Sequence, residues 1–149
     1  MTAKSNSRSA ARLAAVQALF QHDMEKTAIP RLLKEFHDHR LGAEIEDAQY
    51  QDAEVDFFDD IVVGTNEKRD QIDALITEKL ASGWSIGRLD KTMLQILRAG
   101  AFELMVREDV STATVINEYV DVAHAFFDSK ESGFVNGLLD AIAKQVRGS

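Results

Sequence analysis

Apolar side chains recur every three or four positions between residues 111 and 146, a spacing that places them on one face of a helix. A polar stretch at residues 128–131 interrupts this pattern, which therefore predicts two amphipathic helices joined by a short turn. Ser111 or Thr112 is suited to cap the first helix, and Ser132 is suited to cap the second. The predicted core positions are Val115, Tyr119, Val122 and Phe126 in the first helix, and Val135, Leu138, Leu139, Ile142 and Val146 in the second.

The rest of the chain shows the same helical period, and no stretch alternates for long enough to predict a strand. Gly64 lies inside one periodic stretch, where glycine costs about 1 kcal/mol relative to alanine, so a kink or a break of the helix there stays open. Gly100 lies in the most apolar helix, at the centre of the C-terminal half, and allows a close helix crossing. The further helices are predicted at residues 7–24, 30–40, 52–80 and 88–106, with a loop at residues 41–51. The pattern predicts an all-α fold of about seven helices in a single domain, residues 1–149.

Composition narrows the classes of protein to which the chain can belong. The absence of cysteine excludes disulfides, thiolate metal sites and a cysteine nucleophile, and it favours a reducing, cytoplasmic compartment. The sequence contains no run of about 18 apolar residues and no apolar segment near its start of the kind found in signal peptides. We therefore expect neither a membrane span nor a secretory signal.

The net charge of −8 is unevenly distributed along the chain. Residues 1–22 contain Lys4, Arg8 and Arg12 and no acidic residue; they carry +3, and the remaining residues therefore carry −11. Because the three cations are spaced by four, we expect them to share one edge of the first helix, beside its apolar stripe. That stripe comprises Leu13, Val16, Phe20 and Met24. A basic end on an acidic body is typical of an arm that contacts phosphate, although three cations are few and an incidental charge stays open.

The motifs of catalytic and metal-binding proteins are missing. There is no nucleophile elbow, phosphate loop or dinucleotide-binding motif, so we expect no enzyme. Asp121 and His124 form a single Asp-x-x-His pair without the second copy that a helical di-metal site usually needs. Among Glu35, His37 and His39, the two histidines point to different faces of a helix. We therefore expect neither a metal nor another cofactor.

Two aromatic residues flank the polar turn of the C-terminal pair of helices. Phe127 and Phe134 cannot both be buried as easily as the aromatic residues on the core stripes. An exposed ring beside Lys130 would suit single-stranded RNA, since stacking contributes roughly 1–3 kcal/mol per base. Periodicity alone leaves burial in the core open for each ring.

Four motifs follow one another across most of the chain. They are Ala15-Val16-Gln17-Ala18-Leu19-Phe20 after the basic start; Leu89-Asp90-Lys91 with Ile96-Leu97-Arg98 and Phe102-Glu103-Leu104; Val115-Ile116-Asn117-Glu118; and Phe134-Val135-Asn136-Gly137. In this order and spacing they resemble the NusB family of bacterial transcription antitermination factors. Each motif alone is a weak signal, and the specificity comes from the four in register.

The resemblance implies an all-helical fold of two lobes, which we place at about residues 7–80 and 84–147. It also implies a non-enzymatic adaptor that binds the boxA element of ribosomal RNA leaders jointly with NusE, the tenth small-subunit ribosomal protein. That complex joins RNA polymerase and other Nus factors to suppress premature termination. A homodimer of the free chain stays open.

The family's basic first helix meets RNA, and the positions that match it here are Arg8 and Arg12. Ser9 and Ala10 stand where the family often has further arginines. The resemblance therefore implies a reduced basic arm, in which RNA binding depends more on Lys4 and on the partner.

Further site residues follow from the other motifs. Phe134 matches an aromatic near the RNA surface, with Lys130 before it in the turn, and Phe20 matches an aromatic that faces NusE. The family commonly carries an acid-base pair where this chain has Met93-Leu94, so Asp90, one turn earlier, is expected to make the ionic contact to the partner.

Two alternative functions stay open. The chain could be a helical adaptor that binds proteins only. It could also be an RNA-binding module related to the helical domain that precedes ribosomal-RNA cytosine methyltransferases. We expect no methyl transfer from it in that case, since it has no cysteine to attack cytosine and no methyl-donor domain before its end at Ser149.

Overall fold

The computed structural model describes residues 3–38 and 48–148, and it describes side chains for residues 7–38 and 55–148. The described residues form seven α-helices and one short 3-10 helix, and they contain no strand. The α-helices are α1 (Ala3–Glu25), α2 (Ile29–Phe36), α3 (Ala48–Glu67), α4 (Arg69–Lys79), α5 (Lys91–Val106), α6 (Thr112–His124) and α7 (Ser129–Val146), and the 3-10 helix is Ile86–Arg88. The all-α prediction is confirmed.

The chain divides into two compact units, Met1–Gly64 and Thr65–Ser149. Our expected boundary between lobes, near residues 80–84, differs from this division because α4 packs against α5 and α7. The buried residues of α4 are Ile72, Leu75 and Ile76. The second unit therefore contains α4 together with the three C-terminal helices.

The sequence left open whether the helix breaks at Gly64, and the structure shows no break there. Helix α3 continues through Gly64 to Glu67, and the break falls at Lys68, where φ is −103° and ψ is 16°. Ile61 and Thr65 on either side of the glycine are buried. Packing of this kind commonly outweighs the helix propensity of a single residue. The predicted end of the second helix, at Arg40, lies outside the described residues.

In the first unit, α1 packs against α2 through a face made of small residues. The buried alanines of α1 allow close approach of neighbouring helices, and α2 contributes Leu32 and Phe36 to the core. Phe36 stacks on Phe58 of α3 with ring centroids 5.4 Å apart. Met24, expected on the core stripe of α1, is instead 53% exposed at the end of that helix. The buried face of α1 comprises Ala11, Ala14, Ala15, Val16, Ala18 and Leu19.

In the second unit, α5 is the central helix and packs against α4, α6 and α7. Every residue of α5 from Met93 to Leu104 is buried, so this helix is covered on all sides. Two polar contacts join α5 to the neighbouring helices α4 and α6. Arg98 donates two hydrogen bonds of 2.8 Å to the carboxylate of Asp73 on α4, and Tyr119 Oη of α6 donates to Glu103 Oε2 at 2.5 Å.

Gly100 lies where α5 and α7 cross. A Cβ added there would be 2.8 Å from Leu139 Cδ1 and 3.4 Å from Tyr119 Cδ2, so these side chains pack closely on α5 because residue 100 has no side chain. The predicted close crossing at Gly100 therefore fits the geometry. The α7 stripe is also confirmed at four positions, since Val135, Leu138, Leu139 and Ile142 are buried.

Replacing Gly100 with alanine is expected to lower the free energy of unfolding by about 1 kcal/mol, because the methyl group overpacks the contact with Leu139 by more than the gain in helix propensity. Gly137 is the matched control, since a Cβ there meets nothing within 4 Å. Gly137→Ala is expected to raise the free energy of unfolding by about 0.5–1 kcal/mol. Urea denaturation of both variants checks this, and equal stabilities would contradict the packing assigned to Gly100.

The start of α6 agrees with the cap predicted from the sequence, whereas the start of α7 does not. Ser111 caps α6, and its Oγ accepts a hydrogen bond of 3.1 Å from the Thr114 backbone N–H. The predicted cap at Ser132 is wrong, because α7 already begins at Ser129. Ser132 is buried in the first turn, where its Oγ donates to the Asp128 carbonyl at 3.3 Å. The predicted core position of Phe126 is also wrong, because α6 ends at His124 and the ring is 43% exposed in the turn.

Arg147, at the end of α7, closes the second unit around the loop between α5 and α6. Its guanidinium donates to five acceptors at distances between 2.8 and 3.2 Å. The acceptors are the carbonyls of Glu103, Leu104, Arg107 and Val110 and the hydroxyl of Thr112. Arg147 thereby supplies a donor to the Leu104 carbonyl at the end of α5, while the carbonyls of Glu103 and Arg107 also accept from the backbone N–H groups of Arg107 and Val110.

Candidate nucleic-acid interface

The cations of the first helix lie against an aromatic ring of α3. The guanidinium of Arg8 lies 4.6 Å from the centroid of Phe57, and that of Arg12 lies 4.8 Å from the same centroid. Arg12 is only 3% exposed. The expectation that these cations lie beside the buried face of the helix, and not within it, is therefore wrong for Arg12. A guanidinium can be buried in this way because its flat face packs on aromatic carbon while the stem fills apolar space.

Arg8 keeps partial exposure to solvent, and its Nε is buried without a hydrogen-bond partner among the described residues. The side chain of Lys4 lies outside the described residues. Of the two described cations of the predicted arm, Arg8 is therefore the one with more of its surface available to a phosphate.

A second candidate surface lies entirely within the second unit, between the end of α4, the start of α5 and the start of α7. It is a groove of about 510 Å³ with mostly apolar walls. We call it the α7 groove and define it by its lining residues. These are Leu80, Ala81, Trp84, Arg88, Leu89, Asp90, Met93, Phe127, Lys130, Glu131 and Phe134.

The fold brings together in the α7 groove residues that the sequence assigned to two different partners. Lys130 and Phe134, predicted to contact RNA, lie on α7, and Asp90, predicted to contact the ribosomal protein, lies at the start of α5. Phe134 is 39% exposed and Lys130 is exposed. The aromatic ring and the ammonium group are therefore both accessible at one surface.

Trp84 is a groove residue in the turn that follows α4. It is 53% exposed, and the guanidinium of Arg88 lies 5.0 Å from the centroid of its ring. Arg88 also donates a 2.8 Å hydrogen bond to the Gly83 carbonyl, and Gly83 has a φ of +88°, a conformation that favours glycine. The turn thus places the indole at the rim of the groove. In the sequence, Gly83 directly before Trp84 is the feature that indicates such a turn.

Asp90 has a structural role in addition to its exposure. Its Oδ1 accepts hydrogen bonds from the backbone N–H groups of Thr92, at 2.8 Å, and Met93, at 3.1 Å, and so caps α5. Phe20, the other residue predicted to face the partner, lies near the end of α1 in the first unit and is partly exposed.

Glu131 is a further groove residue that sequence reasoning did not single out. It is the third residue of α7, and its Oε1 is buried without a hydrogen-bond partner among the described residues. A buried acceptor that lacks a donor is uncommon in folded proteins and asks for an explanation.

The described residues do not offer the groupings that metal chemistry needs. No cluster of three or more His, Asp or Glu side chains within residues 7–38 and 55–148 is placed to hold a metal ion. In the part of the chain that the structure describes, no helix combines the length and apolar character required to cross a bilayer.

Comparison with known proteins relates this geometry to one family. The model of the NusB family matches residues 9–144. The chain is 66% identical over 140 residues to transcription antitermination protein NusB of Novosphingobium aromaticivorans, covering 94% of this chain and 95% of that protein. It is 49% identical to the protein of the same name in Caulobacter vibrioides, covering 94% of both.

Solved structures agree with these sequence relationships. NusB of T. maritima matches with a TM-score of 0.78 and 29% identity, over 93% of this chain and 91% of that one. The crystal structure of antitermination factors NusB and NusE in complex with dsRNA also matches with a TM-score of 0.78, at 26% identity. That match covers 94% of this chain and 98% of the solved one.

Proposed function

We propose, from the premise that this chain belongs to the NusB family, that it is a non-catalytic transcription antitermination adaptor that binds RNA together with ribosomal protein NusE. The observation that carries the proposal is the α7 groove, in which the exposed rings of Trp84 and Phe134 lie beside the cations Arg88 and Lys130. Exposed aromatic rings beside cations are characteristic of surfaces that bind single-stranded nucleic acid. The lining also includes the carboxylates Asp90 and Glu131, so the groove carries no net formal charge in a chain of net charge −8.

The two kinds of side chain have different tasks in this mechanism. Arg88, Lys130 and, in the first unit, Arg8 neutralise phosphates, while the rings of the groove stack on unpaired bases. The affinity from three phosphate contacts is small, and log K is expected to fall with log salt at a slope of about −2 for single-stranded RNA. The chain alone is therefore a weak binder, and a second protein that extends the surface makes binding productive.

The rest of the chain suits a basic protein partner. Residues beyond position 22 carry −11, a charge that favours association with a ribosomal protein rich in lysine and arginine. We assign contacts with NusE to Phe20 and Asp90, and contacts with RNA to Arg8, Arg88, Lys130 and Phe134. The RNA contact expected of Lys4 stays a prediction, and Arg12, which is 3% exposed, is assigned to the packing of α1 on Phe57 instead. Other Nus factors and RNA polymerase join through the assembled complex, in the cytoplasm.

A gel-shift titration of a boxA-type RNA tests the proposal. The chain with NusE is expected to bind this RNA more tightly than an RNA of the same composition in scrambled order, and the chain alone is expected to bind weakly, with the salt slope given above. A protein-only adaptor would bind NusE and shift neither RNA, which would refute the proposal.

A further inference from the structure

We infer that the α7 groove is a base-specific subsite that takes one unpaired guanine, whose Watson–Crick edge donates to the carboxylate of Glu131. The inference rests on the proposed function, since it names the base that the RNA-binding surface reads. It is carried by three features of the groove: a buried acceptor without a donor, exposed aromatic rings, and cations at the rim.

Glu131 is the feature that needs an explanation. A glutamate at the third position of a helix usually turns back and accepts a hydrogen bond from the backbone N–H of the capping residue, which is Asp128 here. In this protein the Glu131 Oε1 makes no such bond within the described residues, although it is buried. An unsatisfied buried acceptor is unfavourable, so a ligand that supplies a donor at this point gains binding free energy.

The surroundings of Glu131 fit a flat aromatic ligand. The groove volume of about 510 Å³ lies within the range of sites that hold small organic groups. Its walls include Trp84, which is 53% exposed, and Phe134, which is 39% exposed, and both rings can stack on a base. Arg88 holds the indole at the rim through its contact at 5.0 Å.

The charges around the groove favour a nucleotide over a side chain of a basic protein. A lysine or arginine could also satisfy Glu131, but it would have to enter past Arg88 and Lys130. Repulsion from these two cations opposes its entry, and Asp90, the other carboxylate of the lining, is already engaged by the backbone N–H groups of Thr92 and Met93. A nucleotide brings a negatively charged phosphate that can contact the cations and a neutral base that can enter the groove without repulsion from them.

Guanine is the base whose donors best match a carboxylate. Its Watson–Crick edge presents two adjacent donors, N1–H and N2–H, whereas uracil presents one N–H, and cytosine and adenine each present one amino group. Hydrogen bonds to a charged acceptor are stronger than those between neutral groups. We therefore expect a guanine in the groove to be preferred over inosine, which keeps N1–H and lacks the 2-amino group.

Trp84 is the single tryptophan of the chain, so its fluorescence reports on the groove without a label. The probes are RNA heptamers of uridine whose central base is guanine, inosine or adenine, titrated into the full chain while RNA binding is also followed by anisotropy. The guanine heptamer is expected to quench Trp84 and to bind about tenfold more tightly than the inosine heptamer, as the loss of one charge-assisted hydrogen bond implies.

Substitution of Glu131 separates base reading from general affinity. Glu131→Met keeps the length of the side chain and removes the acceptor, so the ratio of guanine to inosine affinity is expected to fall to about one. Glu131→Gln keeps a neutral acceptor, so its ratio is expected to lie between those of the parent chain and Glu131→Met. Glu108→Met is the matched control, because Glu108 is exposed and does not line the groove, and it is expected to keep the full preference. Thermal melts check that every variant is folded.

The outcomes distinguish this inference from the proposed function. RNA binding by anisotropy without quenching of Trp84, or with the same preference in Glu131→Met as in the parent chain, overturns the guanine subsite and leaves the adaptor function standing. Quenching of Trp84 by NusE alone, which added guanine heptamer does not reverse, assigns the groove to the protein partner and also overturns it. Failure of any RNA to bind, even with NusE present, overturns both.

Discussion

Replacing Phe134 with alanine and Lys130 with glutamate in the same chain is expected to weaken RNA binding by about a hundredfold. Loss of the exposed ring removes stacking worth roughly 1–3 kcal/mol per base, and the reversed charge replaces a phosphate contact with repulsion. The salt slope is expected to become shallower by about 0.7 for the lost contact. Anisotropy titrations of boxA-type RNA at several salt concentrations, in the presence of NusE, measure both effects.

The chain offers a matched control for this double variant. Phe126 is 43% exposed but does not line the α7 groove, and Lys144 lies in the last turn of α7, 3.1 Å from Asp140. Phe126→Ala with Lys144→Glu makes the same chemical change at two residues that do not line the groove, and RNA binding is expected to stay within about twofold of the parent. Equal losses in the two double variants would show that the groove has no particular role.

Replacing Arg147 with alanine is expected to lower the free energy of unfolding by about 3 kcal/mol. The guanidinium donates five hydrogen bonds to acceptors in α5, in the loop that follows it and at the start of α6. Alanine removes the donor to the Leu104 and Val110 carbonyls, while the Glu103 and Arg107 carbonyls keep backbone donors. In a chain of this size, the melting temperature is then expected to fall by about 10 °C. Urea and thermal denaturation measure the change.

Two further variants test whether the hydrogen bonds of Arg147 or its charge stabilise the fold. Arg147→Lys keeps the charge but cannot present donors across the same span, so it is expected to lose most of the same stability. Lys144→Ala removes an exposed lysine whose side chain is 66% accessible, and its effect is expected to stay below about 0.5 kcal/mol. A stable Arg147→Lys variant would mean that charge alone, without the fork of hydrogen bonds, holds the loop.

Hydrophobic periodicity predicted those parts of the fold in which one helix face is buried. The α7 stripe from Val135 to Ile142 and the close crossing at Gly100 follow from side-chain spacing, and the cap at Ser111 follows from local hydrogen bonding. These features depend on residues that are near one another in the sequence. The family resemblance added the expectation of two lobes.

The errors arose where tertiary packing decides between local alternatives. The sequence left open whether the helix breaks at Gly64; the buried residues around it keep α3 continuous, and the break falls at Lys68. Phe126 continues the helical period of α6 beyond the point at which the helix ends. A periodic pattern gives the face of a helix reliably and its last turn poorly, because the pattern does not encode where the chain must turn.

The candidate site was less accessible to sequence reasoning than the fold. The spacing of Arg8 and Arg12 suggested two equivalent cations, but only the structure shows that Arg12 is buried against Phe57. The exposed ring of Trp84 and the unpartnered oxygen of Glu131 depend on contacts between α4, α5 and α7, which no motif records. The assignments of Lys130 and Phe134 to RNA stay predictions, now placed on one accessible surface.

The measurement that tests the central claim most directly is the titration of a boxA-type RNA into the chain with and without saturating NusE, paired with the titration of NusE with and without RNA. Joint binding at one surface requires that NusE raise RNA affinity, by about tenfold or more, and that RNA raise NusE affinity by the same factor. An RNA affinity that is unchanged by NusE would contradict the account of an adaptor that acts only as part of a shared RNA-binding surface.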